Sequence, residues 1–378
     1  MLIKDKIRIL HIIESLGPGG AERALLTNLT YLDKDKFYNV AVYLYNDEFF
    51  LSDLKEIGVK AYSLNLKNIY QPFTAINRIV KIIKSEKIDI VHTNLFGADI
   101  YGRIAANLAG APHVITTLHN LGYKRSSVFN KRKILDIVTS RLSGCSFIAV
   151  SNAVKRSTEQ QVGIKGIKVI CNSIDIDKFA PLDEKERISI RNRLGIKKDT
   201  YLLTDVGRLD FDKGHNLLLE ALASEKLKSN DFMLLLIGDG PAEKNLKDLC
   251  MKLGIQEKVK FLGRRKDIRD IVGCSDLFIL PAINEGFGIV ILEAMALKIP
   301  CVASDIDGIK EIIDNDVNGI LAQPAPSALS DAISRVIKDE NKKTKITNSA
   351  YIKVTNNFNV KGNIKKLEDI YMDLYIKR

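Results

Sequence analysis

Short apolar segments alternate with longer amphipathic segments along nearly the whole chain, and this alternation occurs twice. The short segments predict β-strands, and strands separated by helical segments predict parallel βαβ units. Because the strands are apolar almost without interruption, we expect sheets that are buried on both faces. The sequence therefore predicts an α/β protein with two Rossmann-like, doubly wound parallel-sheet domains that face a cleft. The predicted strands are residues 7–13, 40–45, 89–93, 113–119 and 147–151 in the first half, and 201–207, 232–238, 259–263, 277–282 and 300–304 in the second.

A break in the alternation separates the two halves. Around residues 172–194, Pro181 and the charged run 183–187 interrupt the periodicity, as expected of a linker. A chain of 378 residues is long enough for two domains, each with its own core. Ligands of doubly wound sheets bind beyond the carboxyl ends of the strands. The predicted units are an N-terminal domain over residues 1–172, a C-terminal domain over residues 173–355, and an amphipathic helix over residues 356–378 that packs across the domains.

The composition indicates a globular protein in a reducing compartment. Hydrophobic residues make up 46% and charged residues 27% of the chain, the usual balance of a soluble folded protein. The five cysteines are odd in number and include no C-x-x-C pair, so neither a zinc site nor a disulfide framework is predicted. The apolar segment 7–13 contains Arg8 and His11 and is too short for a signal peptide or a membrane span. We therefore expect a cytoplasmic protein.

The positive charge of the chain is unevenly distributed. Most of the formal net charge of +11 comes from residues 1–180. One interpretation is a coding bias toward lysine, isoleucine and asparagine. The other is a first half that faces an anionic lipid surface or an anionic acceptor, because positive fields attract phosphate-bearing partners. Nucleic acid is not predicted as a partner, since the sequence contains no basic helix or aromatic stacking motif of a known nucleic-acid reader.

A glycine-rich turn, Gly17-Pro18-Gly19-Gly20, follows the first predicted strand and precedes a helix. Glycines let a backbone approach an anion closely, and the amides at a helix N-terminus point toward it. The segment is not a dinucleotide fingerprint, because Glu22 stands at the third glycine position, and it lacks the Lys-Ser/Thr of a P-loop. A tight turn without a ligand is the alternative interpretation.

Two cations follow the first strand of the second half. Arg208 comes directly after the strand, and Lys213 lies just before the next helix. A cationic pair at the carboxyl edge of a strand neutralises a diphosphate, and a guanidinium adds bidentate hydrogen bonds. The alternative is a pair of solvated surface charges.

The segment 283–296, INEGFGIVILEAMA, carries the most specific signal in the chain. Glu285 lies on a loop, and Glu293 follows eight residues later. If the segment were helical throughout, the two carboxylates would be ~12 Å apart along the axis, too far for the ~5 Å pair of a retaining glycosidase. That separation suits carboxylates that bind hydroxyl groups at two ends of an elongated ligand, while the amides of residues 286–289 face its phosphates. The alternative for Glu293 is a paired, buried charge.

These segments, in this order, resemble the GT-B glycosyltransferases of glycosyltransferase family 4, a large retaining family. The resemblance covers most of the chain, and its strength lies in the joint order of segments that are individually weak. The segments are GPGGAER (17–23), VSNAV (150–154), CNSIDIDKF (171–179), VGRLDFDKG (206–214), LIGDGP (236–241), FLG (261–263) and EGFGIVILE (285–293).

The resemblance implies a hexosyltransferase with the nucleotide-sugar site on the C-terminal domain and the acceptor on the N-terminal domain. By this resemblance, Arg208 and Lys213 hold the donor diphosphate and stabilise it as it departs. Glu293 binds the ribose, and Glu285 contacts hydroxyl groups of the transferred sugar. The family reaction retains the anomeric configuration by same-face substitution.

The resemblance also assigns residues outside these loops. Gly19 and Gly20 border the β-phosphate, His119 lies near the donor sugar and the acceptor, and the backbone near Gly263 and Arg264 meets the base. The predicted catalytic residues are Arg208, Lys213, Glu285 and His119, and the predicted donor-binding residues are Gly19, Gly20, Gly263, Arg264, Gly286, Phe287, Gly288, Ile289 and Glu293.

One position departs from the family pattern. Ser173 stands where the family usually has glycine in an Asn-Gly-Ile/Val-Asp segment. Serine tolerates a positive φ poorly, so either the turn differs or it is strained. The departure concerns the connection between the domains and not the reaction.

We predict no cofactor and no metal ion. Five Asp-x-Asp tripeptides occur, and Asp210 and Asp212 form one of them inside the predicted phosphate loop. Because Arg208 and Lys213 flank that pair, a metal ion there is redundant. Two further functions stay open: a sugar-nucleotide epimerase on the same fold, and a non-catalytic protein that binds nucleotide sugars or serves as a membrane scaffold.

The acceptor is predicted only by class. Residues 122–142 mix basic residues, Lys124 and Arg125 among them, with apolar ones, as in a helix that rests on an anionic bilayer. A core helix with a solvated charged face is the alternative. Relatives in the family glycosylate polyprenyl-diphosphate sugars at the inner leaflet of bacteria, so a saccharide on a polyprenyl diphosphate, in surface polysaccharide biosynthesis, is the favoured acceptor. Uridine as the base rests on the family alone.

Overall fold

The computed structural model describes residues 6–68, 71–122, 127–228 and 230–376. It divides into two compact units. The first unit consists of Met1–Asn172 and Val360–Arg378, and the second unit consists of Ser173–Asn359.

The first unit is built on a seven-stranded sheet in the order β3-β2-β1-β4-β5-β6-β7, in which every paired neighbour is parallel. Its strands are β1 (Ile7–Ile13), β2 (Phe37–Tyr43), β3 (Lys60–Ser63), β4 (Ile90–Asn94), β5 (His113–Leu118), β6 (Ser146–Ala149) and β7 (Lys168–Val169). Its helices before the second unit are α1 (Gly20–Tyr31), α2 (Leu51–Glu56), α3 (Pro72–Ser85), α4 (Phe96–Ala109), α5 (Ser127–Leu142) and α6 (Asn152–Val162).

Burial on both faces explains why the central strands of the first unit were visible in the sequence. In β1 consecutive residues such as Ile12 and Ile13 are fully buried and belong to the cores on opposite faces of the sheet. The sequence analysis missed β3 and β7. Both are short edge strands with polar residues, so they lack the continuous apolar run of a central parallel strand.

The second unit is built on a six-stranded parallel sheet in the order β10-β9-β8-β11-β12-β13. Its strands are β8 (Tyr201–Val206), β9 (Phe232–Ile237), β10 (Val259–Phe261), β11 (Leu277–Leu280), β12 (Cys301–Ser304) and β13 (Ile320–Ala322). Its helices are α7 (Glu184–Arg193), α8 (His215–Leu222), α9 (Glu225–Lys228), α10 (Glu243–Leu253), α11 (Ile268–Gly273), α12 (Ile289–Ala296), α13 (Asp307–Lys310), α14 (Pro326–Lys338) and α15 (Glu340–Asn357), with 3-10 turns at Phe211–Lys213 and Gln256–Lys258.

In each sheet the order of strands reverses once, between β1 and β4 in the first unit and between β8 and β11 in the second. The loops that leave the two strands at such a point diverge and leave a crevice where ligands bind. The two doubly wound parallel sheets confirm the predicted fold class.

The last helix, α16 (Val360–Ile376), belongs to the first unit. Its buried residues, Ile364, Leu367 and Tyr371 among them, join the core that contains β1 and α1. The sequence analysis started this helix at Asn356, which instead lies at the end of α15. Packing of the helix across both domains stays a prediction.

The region between the halves is not the irregular linker that the sequence suggested. The charged run 183–187 leads into α7, where the Asp183 side chain and the Glu186 side chain form a reciprocal capping box, which stabilises a helix N-terminus. Only Ile190 and Arg191 of this helix are buried. A helix that is polar on nearly every side shows no apolar periodicity, so pattern analysis misses it.

The backbone conformation of Ser173, which stands where the family usually has glycine, is an ordinary one. It is buried, and its φ is not positive. The turn therefore carries no left-handed strain at this position.

Among the described residues, no helix is long and apolar enough to cross a bilayer.

A buried ion pair ties α5 to α4 in the first unit. The fully buried Arg103 guanidinium donates to the carboxylate of Asp136 and to the hydroxyl of Thr116. We predict that Arg103→Ala lowers the free energy of unfolding by about 3–5 kcal/mol, because it leaves a buried carboxylate without its counter-charge. Urea denaturation measures the change. The control is Lys226→Ala, which breaks the exposed Lys226–Asp331 pair and should cost less than about 1 kcal/mol; equal losses in the two variants would contradict this prediction.

Candidate functional site

The second unit brings the loops after β8 and β11 together at its strand reversal. The two strands are hydrogen-bonded neighbours, with Leu203 opposite Leu277. The loop after β8 carries Arg208 and Lys213, and the loop after β11 carries Glu285. These are three of the four predicted catalytic residues, and the topology places them at one edge of one sheet.

An ion pair joins the two loops. The Nζ atom of Lys213 lies 2.6 Å from Oε2 of Glu285. The backbone amides of Ile283 and Asn284 donate to the carbonyl of Asp212, at 2.9 and 3.2 Å. Both charged side chains keep some exposure to solvent, so a ligand can reach them.

Arg208 is held more loosely than Lys213. Its side chain is 70% exposed, and its Nε atom lies 3.7 Å from the nearest carboxylate oxygen of Asp210. An exposed pair at this distance contributes little energy. The guanidinium is therefore available to an anionic ligand, whereas the position of its backbone is fixed.

Two glycines allow close backbone contacts around the loop after β11: Gly214 from the end of the loop after β8, and Gly308 from α13. Gly214 has a φ of +67°, and a Cβ atom there would lie 2.0 Å from the carbonyl oxygen of Pro281. A Cβ atom at Gly308 would lie 2.1 Å from the carbonyl oxygen of Glu285. Both contacts exclude any side chain, so glycine is required at these positions by packing.

The Glu285 carboxylate also accepts hydrogen bonds from backbone amides that were predicted to face phosphate. Its Oε1 atom accepts from the amide of Gly286 at 3.1 Å and from that of Phe287 at 3.4 Å. Gly288 follows with a φ of +85° and precedes the first turn of α12, which begins at Ile289. The loop thus presents its amides to an anion, and in this state the anion is the side chain of Glu285.

Glu293 lies on α12 and is only 1% exposed. The segment from Glu285 to Glu293 is not one helix, because the helix begins at Ile289. The axial rise of ~12 Å expected for eight helical residues therefore does not apply. Glu293 belongs to the interior of the second unit, and its role toward the ribose stays a prediction.

Gly263 and Arg264 lie on the loop after β10, two strands from β8. Gly263 has a φ of +64°, and its carbonyl oxygen accepts from the amide of Gly238 at 2.9 Å. The Nε atom of Arg264 lies 2.7 Å from a carboxylate oxygen of Asp239. The predicted base-binding residues thus lie on the same edge of the sheet as Arg208.

A buried pair of a histidine and an aspartate, which was not predicted from the sequence, joins the two ends of the loop after β8. The Nδ1 atom of His215 lies 2.7 Å from Oδ2 of Asp205, and its Nε2 atom lies 3.1 Å from the carbonyl oxygen of Arg208. Asp205 is 0% and His215 is 2% exposed. The available signal was an aspartate inside the apolar strand YLLTDV, followed by a histidine at the start of the next helix.

The glycine-rich turn of the first unit lies among carboxylates. A Cβ atom at Gly19 would lie 2.2 Å from Oε2 of Glu22, and one at Gly17 would lie 2.8 Å from Oδ2 of Asp47. Burial raises the pKa of Glu22 to about 7, and the charges of Glu14 and Asp47 act in the same direction against the hydrogen bonds that lower it. The turn therefore accepts an anion more readily when Glu22 is protonated. Phosphate binding by Gly19 and Gly20 stays a prediction.

His119 lies just beyond β5 in the first unit, next to the end of β4. Its Nε2 atom lies 3.0 Å from Oδ1 of Asn94, and burial lowers its pKa to about 4. The ring is therefore neutral near pH 7. With Nε2 donating to the amide oxygen, Nδ1 is an acceptor for a hydroxyl group.

Within the described ranges, no three histidine, cysteine, aspartate or glutamate side chains converge as metal ligands. Metal independence stays an expectation.

Comparison with known families matches both halves of the chain. The family "Glycosyltransferase Family 4" matches residues 18–178, and the family "Glycosyl transferases group 1" matches residues 186–353. A UDP-Gal:alpha-D-GlcNAc-diphosphoundecaprenol alpha-1,3-galactosyltransferase of Escherichia coli is 30% identical, over 99% of this chain and 99% of that protein.

Solved structures share the whole fold. A glycosyltransferase from Rickettsia africae is 26% identical with a TM-score of 0.81, over 98% of this chain and 99% of that one. The Anabaena protein Alr3699/HepE, solved in complex with UDP-glucose, is 24% identical with a TM-score of 0.87, over 97% of this chain and 100% of that one. The second likeness is evidence for the fold alone.

The requirement for glycine at position 214 is testable with a matched control. We predict that Gly214→Ala lowers the free energy of unfolding by clearly more than Gly254→Ala. Both glycines have a φ of +67°, but a Cβ atom at Gly254 meets nothing within 4 Å. The control should cost about 1–2 kcal/mol from the left-handed backbone, and Gly214→Ala adds the overlap with the carbonyl of Pro281. Chemical denaturation of the two variants measures the difference, and equal costs would show that the loops do not need this approach.

Proposed function

The chain belongs to the glycosyl transferases of group 1 and family 4, and we propose that it is a retaining hexosyltransferase. In this proposal it moves a hexose or an N-acetylhexosamine from a nucleotide-diphosphate sugar to a saccharide acceptor. The observation that carries the proposal is the ion pair between Lys213 and Glu285, whose charged atoms lie 2.6 Å apart. Lys213 lies on the loop after β8, which also bears Arg208, and Glu285 lies on the loop after β11. In this proposal the two cations bind the diphosphate, and the carboxylate binds hydroxyl groups of the sugar. All three side chains belong to loops at one edge of one sheet.

The basic pair accounts for the stabilisation of the leaving group. As the bond to the sugar breaks, negative charge grows on the departing diphosphate. Lys213 supplies a point charge, and the exposed guanidinium of Arg208 supplies bidentate hydrogen bonds. Because the charge is greater in the transition state than in the ground state, these contacts lower the barrier and do not merely tighten binding.

The contacts of Glu285 favour a binding role over a nucleophilic one. One carboxylate oxygen pairs with Lys213, and the other accepts hydrogen bonds from two backbone amides. These contacts disperse the negative charge that a nucleophile would need. Same-face substitution fits this arrangement, with the departing phosphate oxygen accepting the proton of the acceptor hydroxyl.

We assign the donor to the uridine diphosphate sugars. The Escherichia coli relative, which is 30% identical over nearly the whole chain, is named for UDP-galactose. The loop at Gly263 and Arg264 is the proposed contact for the base.

For the acceptor we propose a saccharide on a polyprenyl diphosphate, used in bacterial surface polysaccharide biosynthesis. The same relative is named for a diphosphoundecaprenol-linked acceptor. Such an acceptor is confined to a membrane, so its enzyme needs a surface that rests on the bilayer.

Helix α5 offers that surface. Among its residues from 131 onward, whose side chains are described, four apolar side chains are exposed. Three of them recur at intervals of four residues, which places them along one side of the helix. The opposite side is tied to α4 through Arg103 and Asp136. The exposed Lys131 and Arg141 lie on the same helix. The exposed apolar residues are Ile134, Leu135, Val138 and Leu142.

Apolar side chains beside cations suit the inner face of a membrane with anionic lipids. We therefore propose a cytoplasmic protein that binds this face peripherally. Two further basic residues of the segment, Lys124 and Arg125, lie outside the described residues.

Turnover tests the basic pair. We predict that Lys213→Ala lowers turnover by ~10²-fold or more, because it removes one preorganised charge at the departing diphosphate. The assay follows transfer from UDP-sugars to a lipid-linked saccharide in the presence of excess EDTA. Lys247→Ala, which breaks an exposed pair with Glu243, is the control and should leave turnover unchanged. Near-normal turnover of Lys213→Ala would refute the assignment, and conversion of the donor without an acceptor would favour an epimerase.

Vesicle binding tests the role of α5. We predict that reversing the charges of Lys131 and Arg141 to glutamate weakens binding to phosphatidylglycerol-containing vesicles about tenfold or more, since each basic residue contributes ~1 kcal/mol at an anionic surface. The control reverses Lys155 and Arg156 on α6, which changes the net charge equally. Co-sedimentation measures both variants. The surface is elsewhere if the two variants bind equally well.

A further inference from the structure

We infer that His215 is a positioning residue for the donor site: paired with Asp205, it holds the Arg208 peptide group from which the phosphate-binding guanidinium extends. This inference rests on the proposed function, because it concerns the same diphosphate. His215 has no direct contact with the ligand in this account and acts through the backbone of Arg208.

The pair closes the loop from both ends. Asp205 lies near the end of β8, and His215 is the first residue of α8. The loop between them carries Arg208 and Lys213. A contact of 2.7 Å between the imidazole and the carboxylate therefore joins the two ends of the segment that bears both cations.

The two ring nitrogens of His215 face different partners. A carbonyl oxygen only accepts, so Nε2 donates to the Arg208 carbonyl. Nδ1 faces a carboxylate oxygen of Asp205 at 2.7 Å. When the ring is protonated, it donates one hydrogen bond to each partner.

The Arg208 carbonyl oxygen, which His215 binds, accepts two hydrogen bonds. It accepts from Nε2 of His215 at 3.1 Å and from the amide of Asp210 at 2.8 Å. The next residue, Leu209, donates its amide to the carbonyl of Asp239 at 2.8 Å. Both acceptor positions of the Arg208 carbonyl are filled, so the orientation of this peptide plane is set. Because the guanidinium itself is exposed and loosely paired, the backbone decides where it can reach.

A contribution to the stability of the fold does not by itself explain why His215 and Asp205 are paired in the interior. Burying two charges is costly, and apolar side chains of similar size often stabilise a fold as well or better. The Oδ1 atom of Asp205 is buried and has no hydrogen-bond partner in the described part of the chain. A pair kept despite this cost points to a role in directing the Arg208 carbonyl.

The charges around His215 give the direction of its pH dependence. Burial lowers its pKa, and Lys213 acts in the same direction. The charge of Asp205, together with the hydrogen bonds to Asp205 and to the Arg208 carbonyl, outweighs both, so the pKa of His215 lies above the ordinary 6.5. A raised pKa means that both bonds are present below that ordinary value, and that one of them is lost as the pH rises through the folded-state pKa. The remaining proton of the neutral ring stays on Nδ1, beside the carboxylate of Asp205, so the bond from Nε2 to the Arg208 carbonyl is the one lost. Donor affinity should therefore decline on the alkaline side.

Two neutral variants separate the two bonds. In His215→Gln the amide nitrogen takes the place of Nε2 and can donate to the Arg208 carbonyl. In His215→Asn the amide nitrogen takes the place of Nδ1 and can donate only to Asp205. Both variants lose the ion pair, so they differ in which partner keeps its bond.

The experiment measures UDP affinity by calorimetry on the full-length protein, together with the free energy of unfolding. We expect His215→Asn to weaken UDP binding about tenfold or more, the value of one hydrogen bond to a charged group, and His215→Gln to stay within about threefold of the parent. Stability should follow the opposite order, because only the asparagine variant leaves Asp205 with a donor. The double variant Asp205→Asn/His215→Gln should recover stability and keep its affinity. The alkaline decline in affinity should occur in the parent protein and not in His215→Gln.

Two results would overturn the inference: equal UDP affinity of the two single variants, or affinity losses that follow stability in the same order. If the variants fail to fold, the pH dependence of the parent decides, and a flat profile through neutral and alkaline pH refutes the role. A parent protein that binds no UDP or UDP-sugar would refute the proposed function instead, and the inference would fall with it.

Discussion

The ion pair between Lys213 and Glu285 is the contact on which the candidate site depends. It joins two loops that are far apart in sequence but leave neighbouring strands of one parallel sheet. The order of strands reverses between β8 and β11, so these are the loops that a doubly wound sheet leaves free to form a crevice. In our proposal, the cation of this pair binds phosphate and the carboxylate binds hydroxyl groups of the sugar.

Contacts around these loops hold their backbone in place and leave the Arg208 side chain accessible to a ligand. Gly214 and Gly308 allow backbone contacts that no side chain permits, and His215 binds the Arg208 carbonyl from below. The Arg208 side chain remains exposed. A loop whose backbone is held by hydrogen bonds suits a ligand whose charge changes during the reaction, because the loop need not reorganise as the charge develops.

The sequence predicted most of the fold because buried parallel strands are long apolar runs. It missed β3 and β7, which are short polar edge strands, and β13, which is an edge strand of only three residues. It also missed α7, in which only Ile190 and Arg191 are buried. It placed Arg208, Lys213 and Glu285 together because all three lie on loops that leave strands of one predicted parallel sheet, and their roles toward a donor came from the family resemblance. It did not show the carboxylate of Glu22 against Gly19, nor the pairing of Asp205 with His215, because both depend on how side chains pack after the chain has folded. The spacing calculated for a continuous helix from Glu285 to Glu293 does not apply, since α12 begins only at Ile289, after Gly288 with a φ of +85°.

A crystal structure of the protein with an intact UDP-sugar tests the central claim most directly. The account predicts the diphosphate at the carboxyl edge of β8, with the Arg208 guanidinium and the Lys213 ammonium within hydrogen-bonding distance of its oxygens, about 2.7–3.2 Å. Glu285 should then contact hydroxyl groups of the sugar. A ligand bound elsewhere, with Arg208 and Lys213 still in solvent, would contradict the account.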